Sequence, residues 1–132
     1  MAVHYEQIGS AAVITIARPH RRNAIDKETA DALARAWRRF DADDEALVGI
    51  LTGSGGTFSA GADLKAFDLE ETAGGWLGFA RTRVSKPTIA AVAGYSVAGG
   101  LEMALWCDLR VAGSPAVFGC FERRYGVPSG DC

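Results

Sequence analysis

Histidine and cysteine are scarce in this chain: His4 and His20 are its imidazoles, and Cys107, Cys120 and Cys132 have no CxxC spacing. No histidine stands close enough in sequence to a cysteine to suggest a zinc site. Ser59 lies in Ser-Ala-Gly and not in Gly-x-Ser-x-Gly, so a Ser/His hydrolase has little support. Strong net charge is missing as well. A formal charge of -2 and a pI near 5.6 supply no global basic field for nucleic acid, so anion recognition has to be local. The start of the chain lacks the basic residues and apolar stretch of a secretory signal, and the odd cysteine set fits a reducing cytoplasm, which is the expected location. Gly53-Ser-Gly-Gly56 has neither the dinucleotide spacing nor a following Gly-Lys-Ser/Thr, and reads as a tight turn.

A clean membrane span is also absent. Residues 88–107 are long enough to cross a bilayer, but Gly94, Ser96, Gly99, Gly100 and Glu102 interrupt them. The pattern inside the run changes from β-branched to helical, which predicts a buried strand followed by a buried helix. Glu102 is the single charge in that run. Burying an unpartnered carboxylate costs several kcal/mol or forces it to hold its proton, so this position points to chemistry.

With 48% apolar and 23% charged residues, the chain has the composition of one soluble domain, and the order of the elements predicted below is that of an α/β architecture with no dividing linker. Residues 3–8 and 11–17 predict a hairpin around Gly9-Ser10. Asp26 is placed to cap a helix running to about residue 41, with Ala30, Leu33, Ala34, Trp37 and Phe40 on its buried stripe and Arg35, Arg38 and Arg39 outside. A strand is expected over 47–52, one helical turn over 64–67, and a lid-like helix over 69–83, interrupted by Gly74-Gly75. A central strand over 88–97, a helix from Gly99 to about 107, and strands over 109–112 and 117–119 complete the reading. Two local features remain open. Glu122 either joins Glu102 in one cavity or pairs with Arg123 or Arg124 on a surface turn. The cluster Arg18, His20, Arg21 and Arg22 is either a solvated turn or an anion site.

Three blocks resemble the enoyl-CoA hydratase/isomerase (crotonase) family: Phe58-Ser-Ala-Gly-Ala-Asp-Leu64, residues 86–112, and Phe118-Gly-Cys-Phe-Glu122. Residues 18–24 are similar to that family's CoA-binding loop, and the likeness extends over residues 3–128. The resemblance implies repeated ββα units, with the core in 1–128, an aberrant tail at 129–132 and the family's C-terminal helices missing from a chain of about half the usual length. Loss of those helices would leave apolar surface exposed.

It further implies that the N–H groups of Ala62 and Gly99 polarise a thioester carbonyl, while Glu102 and Glu122 share one water that adds to a 2-enoyl-CoA. Arg22, Asn23, Ala24, Ala60, Asp63, Leu64 and Lys65 would meet the CoA moiety, while Trp76, Leu77, Phe79 and Ala80 either line the acyl pocket or are the ordinary packing face of an amphipathic helix. The implied reaction belongs to fatty-acid metabolism, needs no metal or redox cofactor, and has an acyl-CoA thioester as partner; the family's habit is a homo-oligomer, trimer or hexamer. Double-bond isomerisation, or acyl-CoA binding without turnover, are the competing readings.

Overall fold

The computed structural model describes residues 2–120; Glu122 and the segment 129–132 lie outside the described residues. Strands β1 (Val3–Ile8) and β2 (Ala11–Ile16) form the expected antiparallel hairpin, turned at Gly9 with φ 59°. A 3-10 turn (Pro19–Arg21) leads to helix α1 (Lys27–Ala42). The Asp26 side chain accepts the Thr29 N–H at 2.9 Å, which caps one of the donors a helix start leaves unsatisfied. Ala30, Leu33, Ala36, Trp37 and Phe40 form the buried stripe; Ala34, expected there, is only half-buried.

β3 (Val48–Gly53), β4 (Thr88–Val92) and β6 (Leu109–Ala112) extend the hairpin as parallel neighbours, in the order β1-β2-β3-β4-β6. β5 (Tyr95–Val97) and β7 (Val117–Gly119) pair in a second, two-stranded parallel sheet, and α2 (Gly99–Trp106) follows β5. The unit β4-β5-α2 is thus the expected ββα pattern, with its two strands in different sheets. An aromatic cluster closes the core. Trp37 sits 5.7 Å from Phe40, 5.8 Å from Phe79 and 4.7 Å from Trp106, and α1 reaches β3 where Gly49 has no side chain to block Trp37. At the far edge Leu109 and Val111 of β6 are 60% and 65% exposed, as is Leu105 of α2 at 54%. No described helix is long and apolar enough to cross a membrane.

Two expectations need correction. The strand over 88–97 is two strands, because Gly94 takes φ 65° in close approach to the Gly56 carbonyl and carries the chain from one sheet to the other. The helix over 69–83 is absent. That stretch is a run of turns, in which Gly78 takes φ 92° against the Ala30 carbonyl of α1. Leu77 and Phe79 pack into the core from it, so the stretch expected as a lid is a packed wall.

Candidate active site

The loop 58–66 is held by backbone hydrogen bonds together with the Ser59 hydroxyl and the Asp63 carboxylate. Phe58 and Ser59 both donate N–H to the Tyr95 carbonyl at 3.0 Å, and Ser59 Oγ donates to the Asn23 carbonyl at 2.8 Å while accepting the Gly61 N–H at 3.0 Å. Ala62 then pairs with Ile25 in an isolated parallel bridge. Ile25 N–H donates to the Gly61 carbonyl at 2.7 Å, and Asp63 N–H donates to the Ile25 carbonyl at 2.8 Å. A trans peptide points its N–H opposite to its C=O, so anchoring the Gly61 carbonyl on Ile25 turns the Ala62 N–H away from that strand.

The other wall is the start of α2. Gly61 and Gly99 touch: a Cβ on Gly61 would lie 2.6 Å from the Gly99 nitrogen, and one on Gly99 would lie 3.1 Å from Gly61 Cα. Ala98, the residue before the helix, has φ 53° and ψ -123°, a conformation L-residues rarely adopt. Among the described residues neither the Ala62 nor the Gly99 N–H has an acceptor. Gly99 also stands where the helix dipole favours negative charge. Glu102, 6% exposed, follows within the first turn of α2, and the Leu77 side chain packs over Gly99. The loop carrying Ala62 and the start of α2 therefore touch at Gly61 and Gly99, with the Leu77 side chain against Gly99 and buried Glu102 one turn along the helix. Burial of Cys107 pushes its thiol up to about 12, which disfavours the thiolate.

Among the expected CoA contacts, the structure divides the residues. Asn23 is fully buried with its polar groups committed: Oδ1 accepts the Arg18 N–H at 2.8 Å, and Nδ2 donates to the Ser54 and Thr57 carbonyls at 2.8 and 2.7 Å. Ala24 donates its N–H to the Arg21 carbonyl, and its own carbonyl accepts from the Arg18 guanidinium. Asp63, 5% exposed, pairs with Arg18 and Arg21 at 3.2 Å each, and its Oδ1 accepts the Lys65 and Ala66 N–H groups at 3.0 and 3.1 Å. Burial, the largest influence, pushes this carboxyl up, but these donors outweigh it and hold it below the usual carboxylate range. Ala60 gives its N–H to the Arg22 carbonyl at 3.0 Å. Arg22, Leu64 and Lys65 are exposed beside this loop.

Sequence reading missed this ion-pair cluster, since an arginine-rich turn looks the same whether it faces an anion or a carboxylate 42 residues further on. It also missed Ser59 as a brace. A serine between small residues carries no signal of the two buried hydrogen bonds it makes.

The family model described as enoyl-CoA hydratase/isomerase matches residues 6–132. The chain belongs to that family. It is 44% identical over 123 residues to the mevalonyl-coenzyme A hydratase sidH of Aspergillus fumigatus, covering 87% of this chain and 46% of that protein. It is 38% identical over 133 residues to the enoyl-CoA hydratase EchA19 of Mycobacterium tuberculosis, covering 92% and 50%. The crystal structure of the enoyl-CoA hydratase EchA1 from Mycobacterium marinum superposes with a TM-score of 0.94 at 45% identity, covering 98% of this chain and 53% of that one. The fold is therefore the crotonase fold, and the chain spans about half the length of the relatives it matches.

Proposed function

We propose that this chain carries the thioester-polarising centre of an enoyl-CoA hydratase. The observation behind the reading is the pair of acceptor-free N–H groups, Ala62 and Gly99, brought together at the Gly61–Gly99 contact beside buried Glu102. Water adds to a 2-enoyl thioester at its β-carbon, and the displaced π electrons collect on the thioester oxygen as an enolate. Two preorganised amides at that oxygen are worth more in the transition state than in the ground state, which is the requirement for catalysis.

In this reading Glu102 takes a proton from the attacking water, and Glu122 delivers one to the α-carbon, giving the 3-hydroxyacyl thioester. The reaction asks nothing of a metal or redox centre, because the amides carry the charge and the carboxylates carry the protons. With Arg18 and Arg21 spent on Asp63, Arg22 and Lys65 are exposed cations, among the described residues, that would meet CoA phosphates, and the Ala60–Leu64 backbone beside them would meet pantetheine. The relatives' names differ in acyl group, mevalonyl in one and enoyl in another, so the acyl chain is left open within the class.

Crotonyl-CoA hydration, followed by loss of the enoyl-thioester absorbance in a sample of known oligomeric state, tests the reading. Glu102→Gln should lower turnover by about 10²-fold or more while leaving thioester binding within a few-fold. Equal turnover in the variant and the parent overturns the assignment, and a shifted double bond without a hydroxyacyl product would replace hydration by isomerisation.

A further inference from the structure

Asp63 is ionised, nearly buried and adjacent in sequence to the proposed donor Ala62, yet the reaction just described has no step for it. We infer that Asp63, clamped by Arg18 and Arg21, is a positioning residue that fixes the direction of the Ala62 N–H; the functional part of this inference rests on the proposed role of that amide.

The argument begins with the bridge that orients Ala62. That bridge is one residue long, held by a single hydrogen bond on each side of Ala62. Isolated, it would fray. The Arg18 guanidinium ties its two strands together from the side. It donates to the Ala24 carbonyl on one strand, pairs with Asp26 at 3.2 Å just past Ile25, and pairs with Asp63 at 3.2 Å on the other. Arg21 grips the same carboxylate at 3.2 Å. On the far side Asp63 Oδ1 accepts the Lys65 and Ala66 N–H groups, and the Asp63 carbonyl accepts the Phe67 N–H at 2.9 Å, which winds the chain tightly after the bridge. Asp63 is thus the knot between a charge clamp before the bridge and a turn after it. Because these are charge-assisted bonds in a nearly dry position, they hold the peptide more stiffly than neutral ones would.

Asp63→Asn keeps the shape and one acceptor for the turn but removes the charge that Arg18 and Arg21 hold. Backbone ¹⁵N relaxation on the ligand-free chain reads the consequence directly. The Ala62 order parameter should fall from about 0.85 to below about 0.6, while that of Gly99, held by the other wall, stays near the rigid value. Asp41→Asn, which neutralises a carboxylate bonded to the Ser85 N–H and hydroxyl outside this network, should leave both unchanged. Should Asp63→Asn fail to fold, Arg21→Gln is read in the same way.

A functional measurement follows on the Glu102→Gln background, where bound crotonyl-CoA is not consumed. With ¹³C at the thioester carbonyl, difference infrared spectra should show its stretch lowered on binding, and returned part-way to the free value when Asp63→Asn is added. With Glu102 intact, Asp63→Asn should cost about tenfold in kcat at nearly unchanged KM, less than outright loss of an oxyanion donor. An Ala62 N–H as rigid in Asp63→Asn or Arg21→Gln as in the parent overturns the inference. A parent that binds the thioester without any carbonyl shift overturns the proposed function instead, and the Ala62 order parameter still decides the positioning role.

Discussion

The two walls that meet at Gly61 and Gly99 each carry one of the two proposed N–H donors, and each is held by different physics. The loop 58–66 is held by charge and hydrogen bonds, centred on Asp63 with Arg18 and Arg21. The α2 wall is held by shape: Gly100 fits against the Ser59 carbonyl, Gly99 against Gly61 and Leu77, and Ala98 is bent into a conformation that only its surroundings impose. Ionic interactions can be weakened by protonation or by a neutral isostere, whereas close packing of backbone on backbone responds to added atoms. The difference makes each wall separately breakable.

The largest effect should come from Gly100→Ala. In an open helix this exchange stabilises by about 0.5–1 kcal/mol. Here the new Cβ would lie 2.1 Å from the Ser59 carbonyl oxygen and 2.9 Å from its carbon. Ser59 cannot recede, because its N–H is bonded to Tyr95, its carbonyl to the Val97 N–H at 3.2 Å and its hydroxyl to Asn23. The sign therefore reverses. Destabilisation of about 3 kcal/mol or more is expected, the upper range for overpacking, and is read as a fall in urea midpoint at unchanged slope. A variant as stable as the parent would mean that the α2 wall is not sterically set.

Acid should open the other wall first. Arg18, Arg21, Asp26 and the N–H groups of Lys65 and Ala66 face Asp63. Its carboxyl is held below the ordinary value of 3.8, and Asp26 is as well: burial pushes Asp26 up, but the Thr29 hydroxyl and N–H and Arg18 outweigh it. A carboxyl depressed in the folded state contributes stability that is fully present above the unfolded value and is lost as pH falls through the folded one. The window thus lies below pH 3.8. At pH 7 Asp63→Asn should cost about 2 kcal/mol, the scale of a hydrogen bond to a charged group. The gap between parent and variant should close as pH falls below that window. Urea unfolding at pH 7 and in acid measures both, and a gap that persists undiminished in acid would show that packing rather than charge holds Asp63.

How far these walls were readable from sequence differs in the same way. Local signals carried α1, whose cap at Asp26 and apolar spacing needed no partner, and also the change from strand to helix at Gly99. Glu102 stood out because one charge in an apolar run must be buried, and it is. The signals failed where a glycine answers to something distant. Gly94 turns against Gly56, and Gly78 against Ala30, so neither the break in 88–97 nor the missing helix over 69–83 could be read locally. The arginine cluster failed for the same reason. Of the four basic residues in 18–22, Arg18 and Arg21 are committed to Asp63, leaving Arg22 and His20 exposed.

The smallest effect concerns Ala98, and its sign is informative. An L-residue in a sparsely populated conformation costs about 1–3 kcal/mol and persists only when its neighbours over-determine it. Ala98 is held in that way. Its N–H donates to the Gly119 carbonyl at 2.9 Å, and its own carbonyl accepts the Leu101 and Glu102 N–H groups at 3.0 and 3.2 Å. Glycine adopts such angles without strain but adds about 0.4–1 kcal/mol of freedom to the unfolded chain. The balance favours Ala98→Gly by about 1 kcal/mol, visible as a melting temperature raised by a few degrees. With the hydrogen bonds unchanged, the Gly99 N–H keeps its direction. A variant destabilised by 1 kcal/mol or more would mean that the Ala98 methyl, 3.2 Å from where a Gly61 side chain would begin, is itself part of the steric wall and that its contacts exceed the strain they impose.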